Sequence, residues 1–351
     1  MFMLTILIVE DSETEALMLK QIFQSAKDMR VVGFAKNGKE AVELTAALHP
    51  DVITMDIRMP IMDGLQAINL IMSQNPTPIV VISSTLNNKE MQTTFTALQA
   101  GALTVLEKPV NIVSPAFETA KKHIIDTVRS MAEIKVIKRR FLTRKAKKKS
   151  LLPAVHTNAY EVIAIGTSVG GPQALIKVLS GLPTHFSLPI VVVQHMTVGF
   201  INGFAKWLND NTSLKVKIAE NRELLQGGVV YFAPDKCHLA VDRAQGKLIT
   251  SLIHSEAVSV FCPSVTVLLK SVAKTCHSNA IGILLTGMGY DGAEGLLAMK
   301  KANAHTLIQD PESTIVFGMA GVAQSLGAVD RVIELDSMAE YLIKAVDKNS
   351  L

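Results

Sequence analysis

The chain has 351 residues, of which 48% are hydrophobic and 5% aromatic, and a formal net charge of +4 at pH 7. This length favours two domains, and the composition excludes a disordered or fibrous protein and favours layered strands and helices. Residues 135–149 carry nine Lys or Arg and no acid, more than the whole net charge. The basicity is therefore local and does not indicate a nucleic-acid binder.

Cysteine usage and the apolar start of the chain indicate the compartment. Cys237, Cys262 and Cys276 form an odd set without metal-type spacing, so neither a disulfide framework nor a zinc site is supported, and a cytoplasmic protein is expected. The apolar start Met1–Val9 lacks a basic region and leads straight into two acids, so we interpret it as a strand and not a signal peptide. No apolar run approaches the roughly 18–20 residues that span a bilayer, so we expect no direct membrane insertion.

In the first third of the chain, five short apolar runs alternate with segments of helical length, which predicts a five-stranded parallel α/β sheet. The runs are Leu4–Val9, Arg30–Ala35, Val52–Met55, Pro78–Ser83 and Ala102–Leu106. Ser114 followed by Pro115 is typical of the start of a last helix, in which Ile124, Ile125, Val128 and Met131 recur at helical spacing. The basic stretch Lys135–Lys149 is interpreted as a linker. We therefore predict a first domain at 1–125, a helical and basic linker at 126–157, and a second domain at 158–351.

Charged and polar side chains follow the predicted strands of the first domain. Glu10 and Asp11 follow strand one, Asp56 follows strand three, Ser83 ends strand four, and Lys108 comes after strand five. Because the carboxyl ends of parallel strands meet at one crevice, we expect these groups to lie together. Clustered carboxylates repel unless a cation joins them, and oxygen ligands suit Mg²⁺. Asp56 would then attack phosphorus, with Lys108 pairing to a phosphoryl oxygen and Ser83 donating a hydrogen bond.

Each of these residues alone also fits a turn or a helix cap. Together with Arg58-Met59-Pro60 and Met62-Asp63-Gly64, however, the stretch resembles a two-component receiver domain over roughly residues 3–125. The resemblance implies a flavodoxin-like fold, Mg²⁺ at the three carboxylates, and phosphorylation of Asp56 by a sensor histidine kinase. Val105 stands three positions before the lysine, where receivers often carry Phe or Tyr, so the resemblance does not extend to an aromatic switch.

A second series of strands predicts a doubly wound, mainly parallel α/β domain. Its runs are Glu161–Gly166, Leu188–Gln194, Val229–Ala233, Ala280–Thr286, Thr306–Gln309 and Arg331–Leu335. Between the third and fourth runs, His238–Val241 and Lys247–Ser251 flank Asp242–Gly246 and resemble a hairpin. We expect this hairpin to form an antiparallel edge of the otherwise parallel sheet.

The first strand of this domain runs into Gly166-Thr167-Ser168-Val169-Gly170-Gly171-Pro172, followed by a helix from near Gln173. Glycines on both sides of Ser168 permit a sharp strand-to-helix turn that exposes a nucleophilic hydroxyl. A phosphate-cradling loop and a plain capped turn need the same backbone, so this segment alone leaves three functions open. Attack by a hydroxyl also needs a base and a group that orients the base, and His195 and Asp291 likewise lie at predicted strand ends.

The order Ser, His, Asp differs from the Ser, Asp, His order of α/β-hydrolases and disfavours the lipase fold. The segments Gly166–Pro172, Gln194-His195-Met196, Leu285–Gly292 and Phe317-Gly318-Met319 resemble the catalytic domain of the chemotaxis protein-glutamate methylesterases, the CheB family, over roughly residues 158–345. A receiver, a linker and this domain, in that order, make up that family's whole architecture.

The resemblance implies that Ser168 is the nucleophile, His195 the general base and Asp291 the group that orients His195. It also implies a phosphorylation-regulated serine esterase that removes methyl groups from glutamate methyl esters on chemoreceptors, releases methanol and also deamidates receptor glutamines. No cofactor is implied at the esterase site. We expect backbone N–H groups near Gly170 and Met288 to hold the oxyanion.

Three residues depart from the family pattern: Val169 replaces a usual Thr, Thr197 a usual Pro, and Cys262 a common Arg. They leave open a second function on the same fold, a catalytically weak binding module controlled by phosphorylation. A DNA-binding response regulator is disfavoured because no compact helix-turn-helix follows the receiver. The basic linker is interpreted as a solvated tether, with binding to an acidic receptor or membrane surface as the alternative.

Overall fold

A computed structural model describes residues 3–83, 88–109, 116–134, 136, 160–254 and 261–347. The chain divides into two compact units, Met1–Lys145 and Ala146–Leu351, and each is described by itself. The predicted helix start at Ser114 and Pro115 and nearly all of the basic stretch Lys135–Lys149 lie outside the described residues.

The first unit contains the predicted five-stranded sheet, in the order β2-β1-β3-β4-β5 with every strand pair parallel. The flavodoxin-like prediction is therefore confirmed. Its elements are β1 Leu4–Val9, α1 Glu13–Gln24, β2 Met29–Ala35, α2 Gly38–Leu48, β3 Val52–Met55, α3 Gly64–Gln74, β4 Ile79–Ser83, α4 Asn88–Ala100, β5 Thr104–Glu107 and α5 Ala116–Ala132.

Burial and capping explain why these segments form these elements. The central strands β3 and β4 are buried along their whole length, as expected for a parallel sheet with helices on both faces. Ser12, Asn37 and Asp63 cap α1, α2 and α3 by accepting a hydrogen bond from the backbone three residues later. Helix α5 extends past residue 125 to Ala132.

The second unit is built on a seven-stranded parallel sheet in the order β14-β13-β12-β6-β7-β9-β8. Its elements are β6 Val162–Thr167, α6 Gly171–Ser180, β7 Ile190–Gln194, α7 Ile201–Asn211, β8 Lys215–Ile218, β9 Val229–Phe232, β10 His238–Ala244, β11 Lys247–Ile253, α8 Val265–Cys276, β12 Ala280–Leu284, α9 Ala293–Lys301, β13 His305–Gln309, α10 Met319–Ser325, β14 Arg331–Ile333 and α11 Leu335–Asp347. Across the described ranges of both units, every helix is too short or too polar to cross a bilayer.

The predicted hairpin is confirmed, but its predicted place at a sheet edge is wrong. Strands β10 and β11 pair antiparallel and form a separate two-stranded sheet. The sheet edge is taken instead by β8, a short strand that the sequence analysis missed because it has only four residues, two of them lysines. The apolar side chains of the hairpin share one core with α8. The Ser271 hydroxyl of α8 accepts a hydrogen bond from the Val241 N–H, and the Thr275 hydroxyl donates one to the Val241 carbonyl.

Helices α8 and α9 pack closely at Gly295, where a Cβ atom would lie 2.8 Å from Leu269 Cβ and 3.1 Å from the Thr266 backbone. We predict that Gly295→Ala lowers the free energy of unfolding by about 1–3 kcal/mol, because the α8 backbone cannot yield. Urea unfolding followed by the fluorescence of Trp207, the single tryptophan of the chain, measures this unit.

The matched control for Gly295→Ala is Gly321→Ala in α10. There the nearest atoms belong to the Phe317 ring, at 3.1 Å and beyond. Both changes gain the helix propensity of alanine over glycine, about 1 kcal/mol. Equal stability of the two variants would contradict the close packing of α8 on α9.

Candidate functional sites

The first candidate site is an acidic pocket at the carboxyl ends of β1, β3, β4 and β5. Glu10, Asp11 and Asp56 each offer a carboxylate oxygen, and these oxygens lie within 4.8 Å of one another. Ser83 and Lys108 line the same cavity, which has a volume of about 240 Å³. The structure thus brings together all five side chains that the sequence analysis placed there, and the donor set consists of oxygens, as Mg²⁺ prefers.

Lys108 is the electrostatic centre of this pocket. Its buried Nζ lies 2.7 Å from Glu10 Oε2 and 2.8 Å from Asp56 Oδ2. It also contacts the carboxylate of Glu15, a residue that the sequence analysis missed. Glu15 lies three residues after Ser12, so its spacing indicates a capping box at the start of α1 and not a pocket residue.

The pKa values of the pocket reflect its burial and the charges that lie close together in it. Burial raises the pKa of Glu10 to about 7, an effect that Lys108 opposes and the nearby Asp56 reinforces. Burial also disfavours the Lys108 ammonium, but Asp56, Glu10 and Glu15 outweigh it and raise the pKa of Lys108. Glu10 therefore carries a proton below about pH 7, and an additional cation would favour its ionised form.

Backbone contacts position Asp56 and Ser83 in the pocket. The Ile57 N–H donates to Asp56 Oδ1 at 2.6 Å, which leaves Oδ2 to face Lys108. At Gly64 a Cβ atom would lie 2.2 Å from the Asp56 carbonyl oxygen, so only glycine allows this approach. The Lys108 N–H donates to the Ser83 carbonyl oxygen at 2.9 Å, which holds β4 and β5 in register at the pocket.

The second candidate site surrounds Ser168, which follows β6 and is half-buried. The chain turns directly into α6 through Gly170, whose φ of 75° is in the left-handed region that favours glycine. At Gly171 a Cβ atom would lie 2.0 Å from Gln194 Oε1. The glycines around Ser168 therefore serve both a positive φ and a close approach, and the strand-turn-helix geometry of a nucleophile elbow is present.

His195 and Asp291, predicted from separate strand ends, form a hydrogen-bonded pair. Nε2 of His195 lies 3.0 Å from Asp291 Oδ2, and both side chains are largely removed from solvent. Because an ionised carboxylate can only accept a hydrogen bond, this contact selects the tautomer with hydrogen on Nε2. The Nδ1 lone pair is then the one left to act as a base.

Asp291 is held by the first turn of α8. Its two oxygens accept hydrogen bonds from the Ser264 hydroxyl at 2.9 Å, the Val265 N–H at 2.7 Å and the Thr266 N–H at 3.0 Å. Burial alone would raise the pKa of Asp291, but hydrogen bonds from His195 and Thr266 hold it well below its usual range. Asp291 therefore stays ionised beside His195 at neutral pH, which stabilises the imidazolium form.

Gln194 connects Ser168 and His195, although the sequence indicated no role for it. Its buried Nε2 donates to the carbonyl oxygens of both Ser168, at 2.9 Å, and His195, at 2.6 Å. One amide group thus holds the main chain of β6 and the main chain of β7 at a fixed distance. The sequence signal is only the position of Gln194 directly before His195, which does not reveal the contact with Ser168.

The predicted oxyanion donors are compatible with this geometry. In the described part of the chain, neither the Gly170 N–H nor the Met288 N–H donates to another protein group. Neighbouring donors are already used, since the Gly171 N–H bonds to the Ser168 carbonyl and the Gly287 N–H to the Val316 carbonyl. Gly170 and Met288 therefore stay as predicted donors for negative charge that develops near Ser168.

Three of the residues that depart from the family patterns differ in their exposure to solvent. Val105 is buried in β5, and Val169 is half-buried beside Ser168. Cys262 is exposed, and its pKa is raised by partial burial, which disfavours the reactive thiolate.

Comparison with known proteins places both units in recognised families. A family model described as CheB methylesterase matches residues 163–342, and one described as response regulator receiver domain matches residues 6–114. The protein-glutamate methylesterase/protein-glutamine glutaminase 1 of Syntrophus aciditrophicus is 41% identical over 349 residues, which cover 97% of this chain and 98% of that protein. The correspondingly named protein 2 of Methanospirillum hungatei is 42% identical over 330 residues, 93% of each chain.

A solved structure supports the match of the second unit. Its match to the crystal structure of the Thermotoga maritima CheB methylesterase catalytic domain covers 53% of this chain and 98% of the chain in that crystal structure. The TM-score is 0.52 and the sequence identity is 35%.

We predict that Gln194→Glu slows covalent labelling of Ser168 by a fluorophosphonate about tenfold or more, because a carboxylate cannot donate to the two carbonyl oxygens. The exposed Gln324→Glu in α10 is the control with the same change of charge. Trp207 fluorescence reports whether each variant is folded. Labelling of the folded Gln194→Glu protein at the native rate would contradict the proposed coupling of Ser168 to His195.

Proposed function

The chain belongs to the CheB methylesterase family, and we propose that it hydrolyses glutamate γ-methyl esters of chemoreceptors, releasing methanol, with Ser168, His195 and Asp291 as its catalytic residues. Deamidation of receptor glutamines would use the same acyl chemistry. The observation that carries the proposal is the ionised Asp291 on His195, at the end of the strand next to the glycine turn that presents Ser168. A binding module without catalysis is not favoured, because binding alone requires neither a carboxylate on His195 nor the glycine turn at Ser168.

The reaction follows from the positions of these groups. His195 accepts the Ser168 hydroxyl proton on Nδ1 as Oγ attacks the ester carbonyl carbon, and Asp291 stabilises the imidazolium. The N–H groups of Gly170 and Met288 hold the oxyanion. When the carbonyl re-forms, the bond to the methoxy oxygen breaks, His195 returns the proton, and methanol leaves. Water then attacks the acyl-enzyme in the same way, and glutamate and free Ser168 are restored.

The acidic pocket is proposed to take up a phosphoryl group on Asp56 from a sensor histidine kinase. Glu10, Asp11 and Asp56 would hold Mg²⁺, which would neutralise charge on the phosphoryl oxygens. Lys108 already contacts Asp56 Oδ2 and would pair with a phosphoryl oxygen, while Ser83 would donate a hydrogen bond to it.

Phosphorylation is proposed to raise the esterase rate. It adds about 1.5 to 2 negative charges to a pocket that already holds more negative than positive charge. The contacts of Lys108 with Glu10 and Glu15 must therefore rearrange. Any arrangement of the chain that fits the new contacts better becomes more populated, and regulation requires that arrangement to favour catalysis.

We predict that Ser168→Ala lowers methanol release from methylated receptor membranes by at least about 10³-fold, because the nucleophile is lost. The control is Ser325→Ala, which removes an exposed hydroxyl from the same unit. Equal rates for native protein and Ser168→Ala would refute the esterase function.

We also predict that a small phosphodonor such as acetyl phosphate stimulates methanol release by the native protein but not by Asp56→Asn. The reason is that the amide cannot accept the phosphoryl group. Asp126→Asn, at an exposed position of α5, is the matched control and should respond like the native protein. Stimulation of Asp56→Asn to the native level would exclude Asp56 as the acceptor.

A further inference from the structure

Large hydrophobic side chains lie beside the catalytic residues. Two of them are on the loop that precedes Asp291, and the third is on the loop that precedes α8. Phe261 stacks on the His195 ring with 5.0 Å between centroids, and Tyr290 packs edge-on against Phe261 at 6.0 Å. Met288 lies on the same loop as Tyr290, and the two side chains are 40% and 60% exposed. We call Phe261, Met288 and Tyr290 the apolar rim.

The loop that carries Met288 and Tyr290 also runs past Ser168. Gly287, the neighbour of Met288, lies so close to Ser168 that a Cβ atom there would be 2.9 Å from Ser168 Cβ. On the α6 side of the turn, a Cβ atom at Gly170 would be 2.8 Å from Ile315 Cδ1. Ile315 therefore lies beside the Ser168 turn on one side, and the backbone that leads into Met288 lies against Ser168 on the other.

The loop that carries the rim is held in place from both ends. The Gly287 carbonyl accepts hydrogen bonds from the N–H groups of Gly318 and Met319. At the other end Asp291 is bound by α8, and the Gly292 N–H donates to Thr266 Oγ1 at 2.7 Å. Met288 and Tyr290 are thus presented to solvent by an anchored backbone, and a preformed apolar surface of this kind is a binding surface.

We infer that the apolar rim binds apolar side chains that flank the esterified glutamate in the substrate polypeptide, and so selects which esters are hydrolysed. The inference rests on the proposed function. A glutamyl side chain is short, so the γ-carbonyl can reach Ser168 only if neighbouring substrate residues lie against the rim. Apolar neighbours gain by leaving water there, whereas polar neighbours lose hydration and find only the Tyr290 hydroxyl as a hydrogen-bond partner among these side chains.

The test uses the full chain with acetyl phosphate present and three synthetic substrates. Two are peptides with a central glutamate γ-methyl ester, flanked by Leu and Ala in one and by Ser and Asn in the other. The third is a blocked single glutamate γ-methyl ester without flanking residues. Methanol release gives kcat/KM for the native protein, for Tyr290→Ser, and for Val332→Ser, which changes an exposed apolar residue on the edge strand β14.

We expect the native protein and Val332→Ser to prefer the apolar-flanked peptide about tenfold over the polar-flanked one. In Tyr290→Ser this preference should fall to about twofold or less, because the rate falls much more on the apolar-flanked peptide than on the single ester. This difference separates substrate selection from damage to the catalytic residues, which would slow all three substrates equally.

Unchanged selectivity in Tyr290→Ser, or an equal loss on all three substrates, would overturn the inference while leaving the esterase function intact. A faster reaction of Tyr290→Ser on every substrate without acetyl phosphate, with selectivity kept, would also overturn it, because the rim would then bind the receiver. If the native protein hydrolyses none of the three esters nor receptor membranes, the proposed function itself fails.

Discussion

The catalytic unit depends on one buried negative charge, the carboxylate of Asp291. Burial of an ion is costly, and the first turn of α8 offsets this cost with donors from three successive residues, Ser264, Val265 and Thr266. With its charge maintained, Asp291 selects the tautomer of His195 with hydrogen on Nε2, and in the proposed reaction it would stabilise a proton taken up on Nδ1. The close packing of α8 on α9 therefore serves the chemistry, because it places these donors on the carboxylate.

Each of the two sites lies at the carboxyl ends of the strands of its own parallel sheet. The sites differ in the balance between carboxylates and the groups that stabilise them. In the second unit the single carboxylate of Asp291 accepts hydrogen bonds from α8 and from His195, and it stays ionised. In the first unit three carboxylates, those of Glu10, Glu15 and Asp56, contact one lysine, and burial raises the pKa of Glu10 to about 7. An excess of donors keeps the charge on Asp291 constant, whereas an excess of carboxylates makes the acidic pocket responsive to an added cation or phosphoryl group.

Predictions from the sequence are confirmed for those elements whose position depends on a local pattern of residues. Apolar runs located the strands of both sheets within two residues at their ends, with β8 missed because four residues with two lysines give little hydrophobic signal. The hairpin was predicted from its two strands, but the sheet that it joins depends on packing against α8, which no local pattern encodes. Glu15 and Gln194 act through contacts with residues far along the chain, Lys108 and Ser168, and so were missed.

The sequence by itself determined the two α/β units, the glycine turn at Ser168, and the set of reactive side chains, because strand ends and turn residues are local properties. The tertiary structure alone decided how these side chains pair. It shows Nε2 of His195 on Asp291, Gln194 joining the main chains at Ser168 and His195, and the Phe261 ring stacked on His195. Such contacts join residues tens of positions apart, and their distances depend on how strands and helices pack and not on the spacing of residues along the chain.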